Sequence, residues 1–164
     1  MSFRIEEKII FNDSDLVSFR HFLQNKNIKK IYPKRLISSL YFDNSSFQAY
    51  EDSEEGILPR KKIRIRSYPD QKKISYSLEI KTSSIEGRYK TTDHIKGSKY
   101  DQYLKFGIIN DTYGIVLPAV NVSYIREYYS LNNFRITIDT NIIYKTHLSI
   151  KLINEKVNVV EIKA

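Results

Sequence analysis

Alternation at the strand period dominates this chain. Along most of its length, hydrophobic residues alternate with charged or polar ones at a period of two, which is typical of β-strands. Thirteen tyrosines, eight phenylalanines and abundant isoleucine also favour strands. The alternation predicts strands over residues 4–11, 37–43, 60–68, 75–82, 87–92, 120–129, 134–140 and 157–163.

Two segments show helical spacing instead. Apolar residues recur every three or four positions over residues 14–24, and an apolar side made mainly of tyrosine predicts a second helix over 99–106. Residues 44–56 are polar and rich in turn formers, and residues 69–72 form a hairpin turn between two strands. Because no repeat or linker interrupts this order, we predict a single domain over 1–164.

Strand parity places the charges of most predicted strands on one face. Residues two apart on a strand share a face, so Arg64 and Arg66 lie together while Ile63 and Ile65 point the other way. The charged face gathers eleven bases and four acids, which are Arg4, Lys8, Lys62, Arg64, Arg66, Lys81, Arg88, Lys90, Arg126, Arg135 and Lys163 with Glu6, Glu79, Asp139 and Glu161. Eleven minus four is +7, nearly the whole formal net charge of +8.

The charged face has two interpretations. An amphipathic strand ordinarily turns its charges to solvent, as in a sandwich. Rows of like charge about 7 Å apart, however, repel unless an anion lies between them. Arginine binds phosphate oxygens bidentately, and about eight strands can enclose side chains and one slim ligand. We therefore predict an α+β, mainly antiparallel fold: a roughly eight-stranded barrel with a basic lumen that binds chained phosphate, covered by a few helices.

The charged strands also resemble a known family. The run Arg4-x-Glu6-x-Lys8 resembles the opening strand of the VTC domain, the polyphosphate polymerase domain of the triphosphate tunnel metalloenzyme (CYTH-like) superfamily. Six further segments resemble that family in the same order: Ser39–Asp43 with Tyr50 and Gly56, Arg60–Tyr68, Leu78–Lys81 with Arg88 and Lys90, Pro118–Arg126, Arg135–Asp139 and Val160–Lys163. Together they extend over nearly the whole chain.

The resemblance implies a tunnel that binds ATP with Mn²⁺ or Mg²⁺ and transfers the terminal phosphoryl group to a growing polyphosphate chain. Phosphoryl transfer needs positioning and charge neutralisation more than covalent chemistry, which agrees with such a lining. By matching position, the catalytic residues are Arg64, Arg66, Lys81 and Arg126. The further substrate-binding residues are Arg4, Lys8, Lys62, Arg88, Lys90, Tyr124, Arg135 and Lys163. The metal-binding carboxylates are Glu161 and Glu6.

Two other functions within the same fold stay open. One is a triphosphatase that hydrolyses tripolyphosphate or nucleoside triphosphate, a branch that usually opens with Glu-x-Glu-x-Lys. Arginine at position 4 and the excess of bases favour the polymerase over it. The other is a non-catalytic module that binds polyphosphate or inositol phosphate. The family continues into a helical segment, whereas this sequence ends at Ala164, which favours the binding module.

Composition removes several other classes of protein. Without cysteine the chain has neither disulfides nor thiolate metal sites, and the three histidines have no ligand spacing. No apolar run could span a membrane and the charged start is no signal peptide, so we expect a cytoplasmic protein that has no transmembrane segment but is compatible with a membrane partner. Nucleic acid is not an expected partner, because the bases are opposed by isoleucine and phenylalanine. A basic patch (Lys26, Lys29, Lys30, Lys34 and Arg35) is predicted to be solvated, with polyphosphate, inositol phosphate or an acidic surface as alternative ligands.

Overall fold

The computed structural model describes residues 6–26, 28–147 and 152–164. The described residues form ten strands: β1 (Glu6–Phe11), β2 (Lys29–Asp43), β3 (Arg60–Ser67), β4 (Tyr76–Ser84), β5 (Gly87–Ile95), β6 (Ile108–Asn110), β7 (Gly114–Leu131), β8 (Phe134–Thr146), β9 (Leu152–Asn154) and β10 (Asn158–Lys163). They also form three helices: α1 (Asp13–Asn25), α2 (Gln48–Glu54) and α3 (Gly97–Phe106). None of these helices is long and apolar enough to cross a membrane.

The strands pair in the order β1-β10-β8-β7-β2-β3-β4-β5, with β6 beside β7 and β9 beside β8. The paired registers are antiparallel, which agrees with the predicted fold class. Two details of the predicted barrel are corrected. The described residues contain ten strands rather than about eight, and no pairing of β1 with β5 closes the order. Strand β5 lies at the end of this order and is polar and almost wholly exposed. Polar residues on an edge strand discourage pairing with another chain.

The chain divides into two compact units. The first unit comprises residues 1–37, 123–144 and 152–164, and the second comprises 38–122 and 145–151. The long strands β2 and β7 run through both. The prediction of one domain over 1–164 stays a prediction.

In the first unit, helix α1 packs on the apolar side of β8 and β10. The buried cluster consists of Leu16, Leu23, Ile136, Ile138 and Val160. Helix α1 begins after Asn12, whose side-chain oxygen accepts a hydrogen bond from the Asp15 N–H at 2.8 Å. Arg20 then binds both carboxylate oxygens of Glu127 on β7, at 2.6 and 3.0 Å. This hydrogen bond lowers the pKa of Glu127, so a charged pair fixes the helix to the sheet.

In the second unit, Asp43 ends β2 and organises helix α2. Its two carboxylate oxygens accept hydrogen bonds from the N–H groups of Asn44, Ala49 and Tyr50 at 2.8–2.9 Å. The sequence predicted only turns over 44–56, whereas the structure forms a seven-residue helix there. Helices α2 and α3 cover a core of which Leu40, Phe42, Ala49, Ile63, Ile65, Leu78 and Val116 are part. The apolar faces of β2, β3 and β4 are therefore buried in this unit.

Candidate functional site

Three acids on the charged faces of the strands are buried as well. The acids Glu79, Asp139 and Glu161 are only 5%, 7% and 6% exposed, although Ile63 and Ile138 on the opposite faces are 1% and 0% exposed. A solvated sandwich face would leave such acids open to water, because carboxylates are rarely buried without partners. The solvated alternative is therefore wrong for these three acids, whereas Lys62, Lys81 and Lys90 on the same side of β3, β4 and β5 are exposed. The side chains that pair with these buried acids form the candidate site in each unit.

In the second unit, one carboxylate holds several bases. Arg64 donates two hydrogen bonds to Glu79 Oε2, at 2.8 Å from Nε and 2.6 Å from Nη2, and Lys90 Nζ donates to Oε1 at 2.9 Å. Arg66 Nη1 lies 4.0 Å from the same carboxylate, and Arg64 also donates to the Tyr41 hydroxyl at 2.9 Å. The antiparallel register produces this contact, because it places Arg64 directly opposite both Glu79 and Tyr41. We call the polar side of β3, β4 and β5 the basic face.

The basic face keeps its charges. Burial raises the pKa of Glu79, but the hydrogen bond from Lys90 and the charges of Arg64 and Arg66 outweigh it and lower that pKa to about 2. Burial lowers the pKa of Arg64, and Tyr41 and Glu79 more than compensate, so its pKa is raised. The guanidinium is therefore charged and fixed in place, and both properties suit binding to phosphate.

The basic face also carries a row of three exposed lysines, of which Lys90 donates to Glu79. The register places Lys62 directly opposite Lys81, and Lys81 directly opposite Lys90. Adjacent strands are about 4.8 Å apart, and like charges directly opposite each other are destabilising. The next row contains Arg60 and Arg88 with Ser83 between them, so neither row contains an acid. An anion along these rows would relieve the repulsion.

In the first unit, acids and bases are nearly balanced on the polar side of β1, β7, β8 and β10, which we call the mixed face. Arg126 donates to both oxygens of Asp139 at 2.6 Å, and its Nη2 lies 3.8 Å from Glu161 Oε2. Lys163 Nζ lies 2.5 Å from Glu161 Oε1 and 3.3 Å from Glu6 Oε2. Two carboxylates therefore share one ammonium group.

The mixed face is also ionised. Burial raises the pKa of Glu161, but the hydrogen bond and charge of Lys163, followed by the charges of Arg126 and Lys8, lower it overall. Burial lowers the pKa of Arg126, but the hydrogen bond and charge of Asp139 raise it by more, so the net change is upward. These ions are stable in a buried setting because each has an opposite charge within hydrogen-bonding distance or near it.

Aromatic rings position further bases on the mixed face. The Arg126 guanidinium lies over the Tyr124 ring, 5.2 Å from its centroid. The guanidiniums of Arg135 and Arg35 both lie beside the buried Tyr128 ring, at 5.8 and 5.7 Å. The sequence placed Arg35 in an exterior basic patch, and the structure instead gives it this ring contact. Cation–π contact of this kind orients a guanidinium without neutralising it.

The mixed face offers oxygen ligands that fit a divalent metal. Glu161 and Glu6 both reach the Lys163 ammonium, so a position between them already favours positive charge. Thr137 lies directly opposite Glu161 on the neighbouring strand, and its hydroxyl is buried without a hydrogen-bond partner among the described residues. Carboxylate and hydroxyl oxygens suit Mg²⁺ or Mn²⁺. No group of three or more His, Cys, Asp or Glu in the described chain could hold a metal, so phosphate oxygens would share its shell.

The predicted site residues fall into two sets, and Arg4 lies outside the described residues. The basic face contains Lys62, Arg64, Arg66, Lys81, Arg88 and Lys90. The mixed face contains Glu6, Lys8, Tyr124, Arg126, Arg135, Glu161 and Lys163. The predicted site residues omitted Glu79 and Asp139, which pair with Arg64 and Arg126. Parity had placed both acids on the charged face, but it gave them no role.

Comparison with known proteins finds one matching family model and several solved structures of similar fold. A family model described as the VTC domain matches residues 3–164. A candidate adenylate cyclase from Bacillus halodurans is similar in structure, with a TM-score of 0.63 and 14% identity over 98% of this chain and 80% of that one. A protein from Pyrococcus horikoshii has a TM-score of 0.59 and 17% identity, over 99% of this chain and 77% of that one.

A candidate adenylate cyclase from Vibrio parahaemolyticus has a TM-score of 0.54 and 13% identity over 96% of this chain and 74% of that one. A comparison with curated proteins finds no match. At such low identity these likenesses concern the fold alone, and they confirm the predicted α+β, mainly antiparallel tunnel-type fold class.

Proposed function

This chain belongs to the VTC domain family, and from that premise we propose that it is a metal-dependent phosphotransferase that extends inorganic polyphosphate with the terminal phosphate of ATP. The row of Lys62, Lys81 and Lys90 is the observation that carries the proposal. Like charges that lie directly opposite each other destabilise a sheet, and a bound polyanion would neutralise the repulsion along this row. Condensed phosphate supplies negative charge at a spacing of a few ångströms along one chain.

The basic face has more cationic groups than one triphosphate needs. Six predicted phosphate-binding bases lie there, and a single acid, Glu79, accompanies them. A hydrolase would bring water to the transferred group, and water needs no cationic binding surface. A polymerase must also hold an anionic acceptor against its repulsion from ATP. The excess of bases therefore favours polyphosphate as the acceptor over water.

The reaction needs no nucleophile from the protein. The bond between the β,γ-bridging oxygen and the γ-phosphorus of ATP breaks, a terminal oxygen of polyphosphate bonds to that phosphorus, and ADP leaves. The terminal phosphate oxygen is already ionised, so no side chain has to remove a proton from it. Arg64 and Arg66, fixed beside Glu79, would bind phosphate oxygens and stabilise the charge that builds up during transfer.

Members of the triphosphate tunnel metalloenzyme superfamily generally use divalent metal ions. In this chain Glu161 and Glu6 would hold Mn²⁺ or Mg²⁺. When bound, the metal would neutralise charge on the phosphate oxygens that complete its shell. Arg126 would remain paired with Asp139 and add positive charge 3.8 Å from Glu161. Inositol phosphate and a membrane partner stay predictions.

The direct test combines a product assay with matched variants. Purified protein is incubated with ATP and Mn²⁺, the products are separated on a gel stained for polyphosphate, and released phosphate is measured in parallel. We expect long chains from the parent protein. The double variant Lys62→Gln/Lys90→Gln should lose at least about tenfold in rate, because each lost phosphate contact weakens binding.

The control is Lys61→Gln. Lys61 is the neighbour of Lys62 on the other face of β3, where it pairs with Asp111. This control should polymerise at nearly the parent rate. Free phosphate without chains would instead indicate a triphosphatase, and tight tripolyphosphate binding without either product would indicate a binding module. Either result would overturn the polymerase proposal.

A further inference from the structure

Thr137 is the buried polar side chain on the mixed face that the proposed function does not yet use. It lies in β8 between Arg135 and Asp139 and is 4% exposed. Its hydroxyl has no hydrogen-bond partner among the described residues, although Arg126 and Lys163 on this face are both paired with carboxylates. A buried hydroxyl without a partner costs free energy, and such groups in a folded protein call for an explanation.

The strand register shows what lies beside this hydroxyl. Thr137 is directly opposite Glu161, and Glu161 is directly opposite Lys8 on the next strand. Side chains that are directly opposite in antiparallel strands have Cβ atoms about 5 Å apart. The hydroxyl and the Glu161 carboxylate are therefore near enough to bind one ion. Packing alone would be served equally well by valine, which has nearly the same shape and also favours strands.

We propose that the Thr137 hydroxyl is a ligand of the divalent cation, together with Glu161. The proposal rests on the metal site of the proposed function and adds a ligand to it. A hydroxyl oxygen has lone pairs that can bind Mg²⁺ or Mn²⁺ directly, as threonine and serine hydroxyls do in phosphate-binding loops. It would add a third protein oxygen to Glu161 and Glu6 without adding negative charge.

The test is an isosteric substitution with metal binding as its readout. Free Mn²⁺ is titrated by electron paramagnetic resonance with no nucleotide or phosphate present. Thr137→Val removes the hydroxyl and keeps the shape, and we expect it to weaken Mn²⁺ binding about tenfold. Thr137→Ser keeps the hydroxyl and should bind within about twofold of the parent.

Thermal unfolding in metal-free buffer separates this role from a structural one. Thr137→Val should unfold at the same temperature as the parent or higher, because it removes an unpartnered hydroxyl without removing a contact. Thr137→Ala also lacks the hydroxyl, and it provides the same comparison should the valine variant fail to fold.

Glu161→Gln distinguishes failure of this inference from failure of the metal site. If Glu161→Gln weakens Mn²⁺ binding while Thr137→Val leaves it unchanged, the hydroxyl is no ligand and the inference fails alone. If Glu161→Gln also leaves Mn²⁺ binding unchanged, the metal site itself fails, and the role of Thr137 fails with it.

Discussion

The basic face and the mixed face differ in their balance of positive and negative charge. On the basic face a single carboxylate, Glu79, accompanies six predicted phosphate-binding bases, so positive charge is in surplus. On the mixed face Lys8, Arg126, Arg135 and Lys163 accompany Glu6, Asp139 and Glu161, so the charges nearly cancel. The surplus on the first face favours the binding of an anion, whereas the near balance on the second favours the exchange of one cation for another. Substitutions in either face can test this division.

The largest effect is expected from Glu79→Gln on the basic face. The substitution leaves Arg64, Arg66 and Lys90 without their shared counter-charge in a buried setting. We expect the free energy of unfolding, measured by denaturant titration in phosphate-free buffer, to fall by about 3–5 kcal/mol. Added tripolyphosphate should restore more stability to this variant than to the parent, because it supplies the missing charge.

The matched control is Glu86→Gln, which changes an exposed acid in the turn between β4 and β5. It should alter the free energy of unfolding by less than about 0.5 kcal/mol. If Glu79→Gln were as stable as this control, the view that one carboxylate holds the basic face together would be contradicted.

Protonation of Glu79 at low pH should destabilise the parent protein as the Glu79→Gln substitution does. The pKa of Glu79 is about 2 in the folded state, below the ordinary value of 4.5, so its contribution is fully present above pH 4.5. It is lost as the pH falls from 4.5 to 2, and the amount is about 3 kcal/mol. Glu161 on the mixed face adds a loss of the same sign. Denaturant titrations at several pH values in this range should show that the free energy of unfolding falls less steeply with acid for Glu79→Gln than for the parent. Equal slopes against pH would contradict the view that Glu79 carries this loss.

A smaller effect is expected from Asp139→Asn, which makes the mixed face resemble the basic one. Arg126 loses a bidentate carboxylate and keeps one amide oxygen as acceptor. The free energy of unfolding should fall by about 2 kcal/mol. Tripolyphosphate should at the same time bind more tightly by calorimetry, because the released guanidinium can bind phosphate. Weaker binding would show that Asp139 positions Arg126 for phosphate rather than neutralising it.

The smallest effect is expected from Lys163→Gln and concerns the metal. The Lys163 ammonium contacts both Glu161 and Glu6, so it competes with a divalent cation for these carboxylates. Without phosphate, the variant should bind Mn²⁺ about fivefold more tightly by calorimetry, a difference of ~1 kcal/mol. Lys156→Gln, at an exposed lysine, provides the control and should leave the affinity unchanged. Weaker Mn²⁺ binding by Lys163→Gln would refute the competition.

Strand parity predicted the charged faces because it depends only on neighbours along the chain. It assigned Arg64, Arg66 and Glu161 to one side of their strands, and the structure pairs these side chains with polar partners. Parity could not predict that Glu79 would bind Arg64, because that contact depends on the register between two strands. It also gave no depth of burial, so a solvated face and a buried one looked alike.

Two other differences arose from residues that interrupt a pattern. Strand β2 begins at Lys29, eight residues before its predicted start, and it contains Pro33, which interrupts the alternation. Arg35 was consequently assigned to an exterior patch, although it lies beside the Tyr128 ring. Helix α2 was missed because polar residues surround it, and its start depends on hydrogen bonds to Asp43 that composition does not reveal.

The lysine row has a practical consequence for handling the protein. Lys81 lies about one strand spacing from Lys62 and from Lys90, which is shorter than the Debye length of roughly 10 Å at 0.1 M ionic strength. Monovalent salt therefore screens the repulsion between these lysines incompletely. Multivalent anions reduce this repulsion more effectively. We expect phosphate, citrate or sulfate in a purification buffer to make the protein more heat-resistant and to compete with the proposed phosphate substrate. An assay of the proposed activity in such a buffer would therefore give too low a rate.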